Sequence, residues 1–221
     1  MKKAIVFLLF VIILPILSSC KKQQEFFLTN YLSDTRTDIF VATLDDLSVT
    51  AHLKRSEIPL EKDGVVGEVY TSVKFILPYN KPEVTYELLV TYNDVTYQEK
   101  FTYDPLENCL SAEIYPETFT AKSFDGQIKT GGKSYQLNFN SILPQKIKNP
   151  QTVLENLYLS QKTYIDDLTK NGKFDGEIAL KILVNNATPY YYVAITDKDK
   201  NTKAMLLDAI TGELLAIKDI F

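Results

Sequence analysis

One histidine and two cysteines bound the nucleophilic and metal chemistry open to this 221-residue chain. A cysteine nucleophile needs a neighbouring base to hold it as thiolate. The pair on offer is Cys109, in Glu107-Asn108-Cys109-Leu110, and His52, in Val49-Thr-Ala-His52-Leu-Lys-Arg55. Nothing in their spacing brings them together, so Cys109 reads as a small buried hydrophobe. Zinc, which takes three or four His and Cys ligands, finds too few. Asp197-x-Asp199-x-Asn201 begins like a calcium loop, and Asp208 falls at its twelfth place. Thr202 stands where that loop requires glycine, so the segment reads as a solvated turn. Asp45-Asp46, Asp166-Asp167 and Glu61 with Asp63 are carboxylate pairs, but glycoside hydrolysis needs two carboxyls facing each other across a cleft. Adjacent residues on a helix point about 100° apart, which makes Asp166-Asp167 a polar face. Gly131-Gly132-Lys133-Ser134 lacks the earlier glycine of a phosphate loop and suits a hairpin. No catalytic or metal-ligating residue is assigned. In Tyr190-Tyr191-Tyr192, Tyr190 and Tyr192 share one strand face. They are the candidate interaction surface, tyrosine offering apolar area with a polar tip; core packing is the competing reading.

The strongest signal precedes all of these residues. Met1-Lys2-Lys3 is a basic start, followed by sixteen uncharged residues from Ala4 to Ser19. At ~1.5 Å per residue they make roughly 24 Å of helix, short of the about 30 Å hydrocarbon core. With Pro15 near the far end, the segment reads as an export signal over residues 1–19. Leu17-Ser18-Ser19-Cys20 closes it, an aliphatic residue and two small ones before cysteine. This resembles the lipobox of bacterial lipoproteins. The resemblance implies cleavage before Cys20 and diacylglycerol, with fatty acyl chains such as palmitate, on its thiol. Two acyl chains exceed the single-chain limit of marginal anchoring. The implied place is the extracytoplasmic face of the cell membrane, or the outer membrane where there are two, since the inner-membrane retention Asp is absent at Lys21. Residues 20–25 form a lipidated tether whose lysines, Lys21 and Lys22, gain about 1 kcal/mol each near anionic headgroups.

Charge narrows the partners. The chain carries 24 basic and 28 acidic residues, a net of −4; removing Lys2 and Lys3 with the signal leaves −6. Only Arg36 and Arg55 are arginines. Nucleic acid, which needs a basic face, is excluded as a main partner. With Cys20 acylated, Cys109 has no disulfide partner.

The elements that must position these residues fall into two stretches. Residues 26–146 read as an antiparallel β-sandwich of immunoglobulin-like layout. Val84, Tyr86, Leu88, Val90 and Tyr92 alternate along one strand, Asn93-Asp94 turns the chain, and residues 95–103 return. A second hairpin is marked by Gly131-Gly132. Strands are expected also at residues 38–43, 47–53, 65–77 and 109–115, with Pro78, Pro82, Pro105, Pro116 and Pro144 between runs. At Asn149 the period changes: Asn149 caps a helix, Pro150 fits its first turn, and Val153, Leu154, Leu157, Tyr158, Ile165 and Leu168 mark its apolar face. Four strands follow, at 177–184, 190–196, 202–207 and 213–217. Residues 149–221 thus read as a separate α+β domain of one helix on a four-stranded meander. Its closing hairpin, with Asp208-Ala-Ile-Thr211-Gly212-Glu213, resembles that of PepSY-type domains. A cystatin-like or nuclear-transport-factor-like sheet stays open as an alternative.

The anchor and the dearth of catalytic groups point to a non-enzymatic binding or interaction module. Its partners would be the membrane, through the lipid, and an envelope protein, peptide or glycan. The PepSY resemblance implies a second reading, restraint of an exported peptidase. A third is a cell-envelope enzyme working with carboxylates alone. No cofactor is expected beyond the lipid.

Overall fold

The computed structural model describes residues 27–44, 47–78 and 84–220. The signal segment with Leu17, Ser18, Ser19 and Cys20, the tether, and Asp45-Asp46 lie outside the described residues. A short 3-10 helix at Phe27–Tyr31 opens the described chain. Nine strands follow: β1 (Leu32–Leu44), β2 (Leu47–Glu57), β3 (Val69–Pro78), β4 (Glu87–Tyr92), β5 (Val95–Lys100), β6 (Thr102–Asp104), β7 (Cys109–Ile114), β8 (Ser123–Thr130) and β9 (Lys133–Ser141). Then come helices α1 (Pro150–Ser160) and α2 (Lys162–Asp167) and a small hairpin of β10 (Thr169–Lys170) with β11 (Lys173–Phe174). The meander β12 (Gly176–Asn185), β13 (Thr188–Asp197), β14 (Thr202–Asp208) and β15 (Leu214–Ile220) closes the chain.

The first nine strands wrap into a nearly closed antiparallel barrel, hydrogen-bonded in the order β6-β7-β3-β2-β1-β9-β8-β4-β5. Its two ends, β5 and β6, are consecutive in sequence and separated by Phe101 alone. This corrects the expected sandwich: β9 and β8 carry the sheet round from β1 to β4, so there are no two facing sheets. The helix and four-stranded meander expected from Asn149 onward are present, but the meander is not a sheet of its own. β12 pairs in parallel with β1, from Leu32 opposite Ile178 to Arg36 opposite Lys181, and so joins the meander to the barrel sheet.

The inward residues of the barrel make a solid aromatic core. Phe124 and Phe139 stack with ring centres 4.9 Å apart, and Phe40 and Phe75 meet Phe124 edge-on. Phe119, from the connection after β7, stacks on Tyr92 at 4.4 Å and plugs the end of the barrel. Offset and edge-on arrangements of this kind contribute beyond the area they bury. The meander buries its other core, Ile178, Leu180, Ile182, Val193 and Met205, under α1 and the 3-10 helix through Leu154, Leu157 and Leu28. Asn149 caps α1 by accepting from the Thr152 amide, with Pro150 in the first turn. The helical run breaks at Gln161, whose φ of −122° is not helical, and resumes as α2.

β1 is the member common to both units. Its first half lies between β2 and β12, its second half between β2 and β9. The exchange of partners falls at a bulge between Arg36 and Asp38. Asp38, 2% exposed, holds the branch point. Its carboxylate accepts from the Ile39 amide at 2.8 Å, from Ser141 Oγ of β9 at 2.5 Å and from Lys122 Nζ at 2.7 Å. Replacing Asp38 with alanine leaves a buried amide and a part-buried hydroxyl without that acceptor, a loss of about 2–4 kcal/mol. Chemical denaturation of Asp38→Ala should show that loss; a change under about 0.5 kcal/mol would remove Asp38 from this role.

Candidate functional site

Polar and ionisable groups gather in three places. The first is the outer face of the barrel. Lys74 of β3 bridges Asp104 and Glu107, each at 3.0 Å. The ligand atoms of Asp104, Glu107 and Cys109 lie within 4.8 Å of one another, but the lysine already supplies the positive charge there. Burial pushes the Cys109 thiol up from its ordinary value, and Glu107 adds to the effect, so it stays protonated and unreactive. His52 sits further along the same face, opposite Lys74, with its Nδ1 3.3 Å from an Arg36 nitrogen. Arg36 also donates through Nε to the Ile182 carbonyl, tying β12 to the barrel. A guanidinium only donates, so Nδ1 is the acceptor and the ring is neutral. Burial, then Arg36, Lys74 and Lys54, lower its pKa to about 3. Each of the two candidates thus has its own neighbours, and no hydrogen bond joins them among the described residues.

The second place is the mouth of the barrel. Thr35, Arg55 and Thr71 are paired across β1, β2 and β3, and so share one face. On β2 that is the face of Leu53 and Ala51, and Arg55 is the first position past the apolar core. Outside the Phe119 plug, residues 53–55, 69–71 and 115–120 enclose an open groove of about 740 Å³. Its walls mix threonine hydroxyls with half-exposed Tyr70 and Tyr115. Arg55 is exposed and forms no ion pair among the described residues. The wall has one carboxylate, Glu117. A second depression, of about 480 Å³, shares Thr37 and Pro150 with the groove and continues it toward Lys122 and Lys148.

The third place is closed. The connection from β2 to β3, residues 58–68, folds over the junction of β1 with β12. Beneath it are Asp34, Glu57 and Glu177, 1%, 6% and 2% exposed. The Lys181 ammonium stands 2.5 Å from Asp34, close enough to neutralise it though off hydrogen-bonding geometry. Among the described residues Glu177 has no such cation. Ser33 and the Gly64 amide are turned toward it, yet neither of its oxygens reaches hydrogen-bonding geometry with any group among the described residues. Glu57 meets the Gly67 amide, but its Oε1 is unpartnered. Burial raises both carboxyls above their ordinary value; Asp63 adds to the rise in both, Glu57 acts on Glu177, and Glu61 and Asp34 act on Glu57. The cavity that Glu177 lines measures about 30 Å³, room for about one water.

Several other residues singled out from sequence have structural partners. Asp197 accepts from the Asp199 and Asn201 amides, and Asp208 from those of Ile210 and Thr211. Asp197 and Asp208, the first and twelfth places of the supposed calcium loop, thus cap separate turns. Asp166 pairs with Lys162 and accepts from Tyr158. Gly131 and Gly132 form the β8–β9 turn with φ of +53° and +75°, values that suit glycine. Tyr190 and Tyr192 are half-buried and share the face of the meander opposite Tyr191, whose hydroxyl donates inward to the Lys148 carbonyl. Tyr192 lies under the 58–68 connection. Neither tyrosine lines the groove.

Sequence reasoning did not single out Arg55, Asp34, Glu57 or Glu177 as a site. Each occupies an ordinary strand position, and only the pairing of β1 with β2 and β12 gathers them. No family model matches the chain, and neither the curated proteins nor the solved structures contain a match to it.

The state of His52 is directly observable. Its imidazole proton signals should stay unchanged between pH 8 and pH 5. A group whose pKa is lowered in the folded chain contributes stability that is present above its unfolded value of 6.5 and lost as pH falls toward 3. A midpoint near 6.5 in the folded protein would contradict the buried, arginine-bound ring.

Proposed function

We propose that this chain is a lipid-anchored, extracytoplasmic binding module, non-enzymatic, with the groove at the barrel mouth as its recognition site. Cys20 supplies the anchor in this reading, through the lipobox at Leu17, Ser18 and Ser19. The observation that carries it is an open groove of about 740 Å³ set against a barrel whose interior is packed with phenylalanine. A filled barrel has no interior room for a ligand, so recognition falls to the mouth. The occupant that best fits is an anionic envelope component with apolar surface. Arg55 offers a guanidinium free of any described carboxylate, its planar fork suited to a carboxylate or phosphate. Tyr70, Tyr115 and the threonines supply apolar area and hydroxyls around it. Among the described residues no helix is long and apolar enough to cross a membrane.

Hydrolysis by paired carboxylates finds less support. Glycosidases set two carboxyls about 5–9.5 Å apart across the substrate, and among the described residues the groove wall has Glu117 alone. Glu57 and Glu177 are shut beneath a loop.

A photo-crosslinking residue placed at Tyr115 tests the reading in intact cells. It should give a defined adduct that is absent when the probe sits at Leu106, which is 95% exposed and away from the groove. Arg55→Glu should reduce the yield or affinity about tenfold or more while leaving stability within about 0.5 kcal/mol of the parent. Equal crosslinking at the two positions, or an adduct indifferent to Arg55→Glu, would count against the groove.

A further inference from the structure

The connection over Glu57 and Glu177 is built to be held by polar contacts. Three of its apolar side chains, Ile58, Leu60 and Val65, stay about half exposed and only Val66 is more deeply placed, so little hydrophobic burial fastens it. Its backbone is seated at Gly64, where φ is +82° and an added Cβ would lie 2.6 Å from the Lys198 amide nitrogen. Asp63 is engaged locally, accepting from the Val65 amide. Besides Asp34, which has the Lys181 ammonium, the connection covers two carboxyls with three oxygens that have no hydrogen-bond partner among the described residues, one on Glu57 and two on Glu177.

The charges that act on these two carboxyls are negative, although lysines stand nearby. The connection itself brings Glu61 and Asp63 toward Glu57. Lys62 reaches the cavity wall from the same segment, and β12 brings Lys181, which is taken by Asp34 of β1. From the turn beside Gly64, Lys198 is taken by Asp175. On β2, Arg55 lies two positions before Glu57 on the same strand face; it lines the groove and is not among the charges that act on Glu57. A buried carboxylate with no paired cation and too few donors is strongly disfavoured, and a second carboxylate nearby adds to the cost. Each is tolerated when it carries a proton.

The same segment ends in the groove wall. Val69, paired with Glu57, and Tyr70 and Thr71 after it line the recognition groove. We propose that Glu57 and Glu177 form a proton-set latch: protonated, they let the 58–68 connection close and fix the wall at residues 69–71; ionised, they release it. This rests on the groove being the recognition site, and makes binding there responsive to pH. The sign follows from the carboxyl chemistry. Closure is complete at acid pH and weakens as the pH rises through the values at which the buried pair ionises.

Amide hydrogen exchange of the full-length protein, with chelator present, reads the latch without reference to any ligand. Protection of residues 60–68, corrected for the intrinsic pH dependence of exchange, should fall at least about tenfold from pH 5 to pH 7.5. Glu57→Gln and Glu177→Gln, singly and together, keep the shape and remove the charge, and should flatten that dependence. Unchanged protection in the parent, or the same fall in the glutamine variants, would overturn the latch. If the groove reading fails while the latch holds, the crosslinking contrast between Tyr115 and Leu106 disappears but the pH-dependent exchange persists.

Discussion

A single strand with three neighbours governs this molecule. Over its first half β1 gives one edge to β2 and the other to β12; past the bulge at Asp38 the second edge passes to β9. Every backbone donor and acceptor along a buried strand must find a partner, so a strand that changes partner needs something at the point of exchange. Asp38 is that something, receiving an amide, a hydroxyl and an ammonium from three different segments. The barrel closes through β9 only because β12 gives way there. Both candidate sites follow from the same exchange: the groove opens where the barrel wall ends, and the carboxyl nest fills the angle between β1 and β12.

The local elements were largely legible in the sequence. Asn149 and Pro150 start α1, Gly131-Gly132 turns β8 into β9, and Asp208 with Thr211 caps the last hairpin, because each is a short-range hydrogen-bonding or dihedral requirement. The alternation of Val84, Tyr86, Leu88, Val90 and Tyr92 marks the inward face of that strand, and Tyr86, Leu88 and Val90 are buried in the barrel. Partnership was not legible. Alternation says which face a residue takes and nothing about which strand lies beside it, so a barrel and a sandwich read alike. β1 hid its first half for a different reason. Ser33, Asp34, Thr35 and Asp38 are polar and yet buried, so no apolar period runs from Leu32 to Asp38. The same cause hid the nest, since a buried Glu57 or Glu177 is indistinguishable in sequence from a solvated strand end.

Function, in this reading, is distributed by what the core leaves over. Phenylalanine fills the barrel and Phe119 seals its end, which moves recognition outward to a rim where Arg55 is the first residue beyond the apolar row. The connection that shapes one wall of that rim is fastened by few apolar contacts and lies over carboxyls that oppose its closure when charged. A tethered module of this kind would meet its partner at a surface whose shape depends on the surrounding medium. The polar network on the opposite face, from Lys74 to His52 and Arg36, has no such freedom, because each charge there has a partner within contact distance.

The central claim is that β1 makes barrel and meander one cooperative body. Fluorine-labelled tyrosine gives separate signals for Tyr92, in the barrel, and Tyr191, in the meander core, during a single urea titration. A shared strand requires both signals to lose their folded state at one midpoint with one slope. Two midpoints, with the Tyr191 signal native after the Tyr92 signal has unfolded or the reverse, would contradict it.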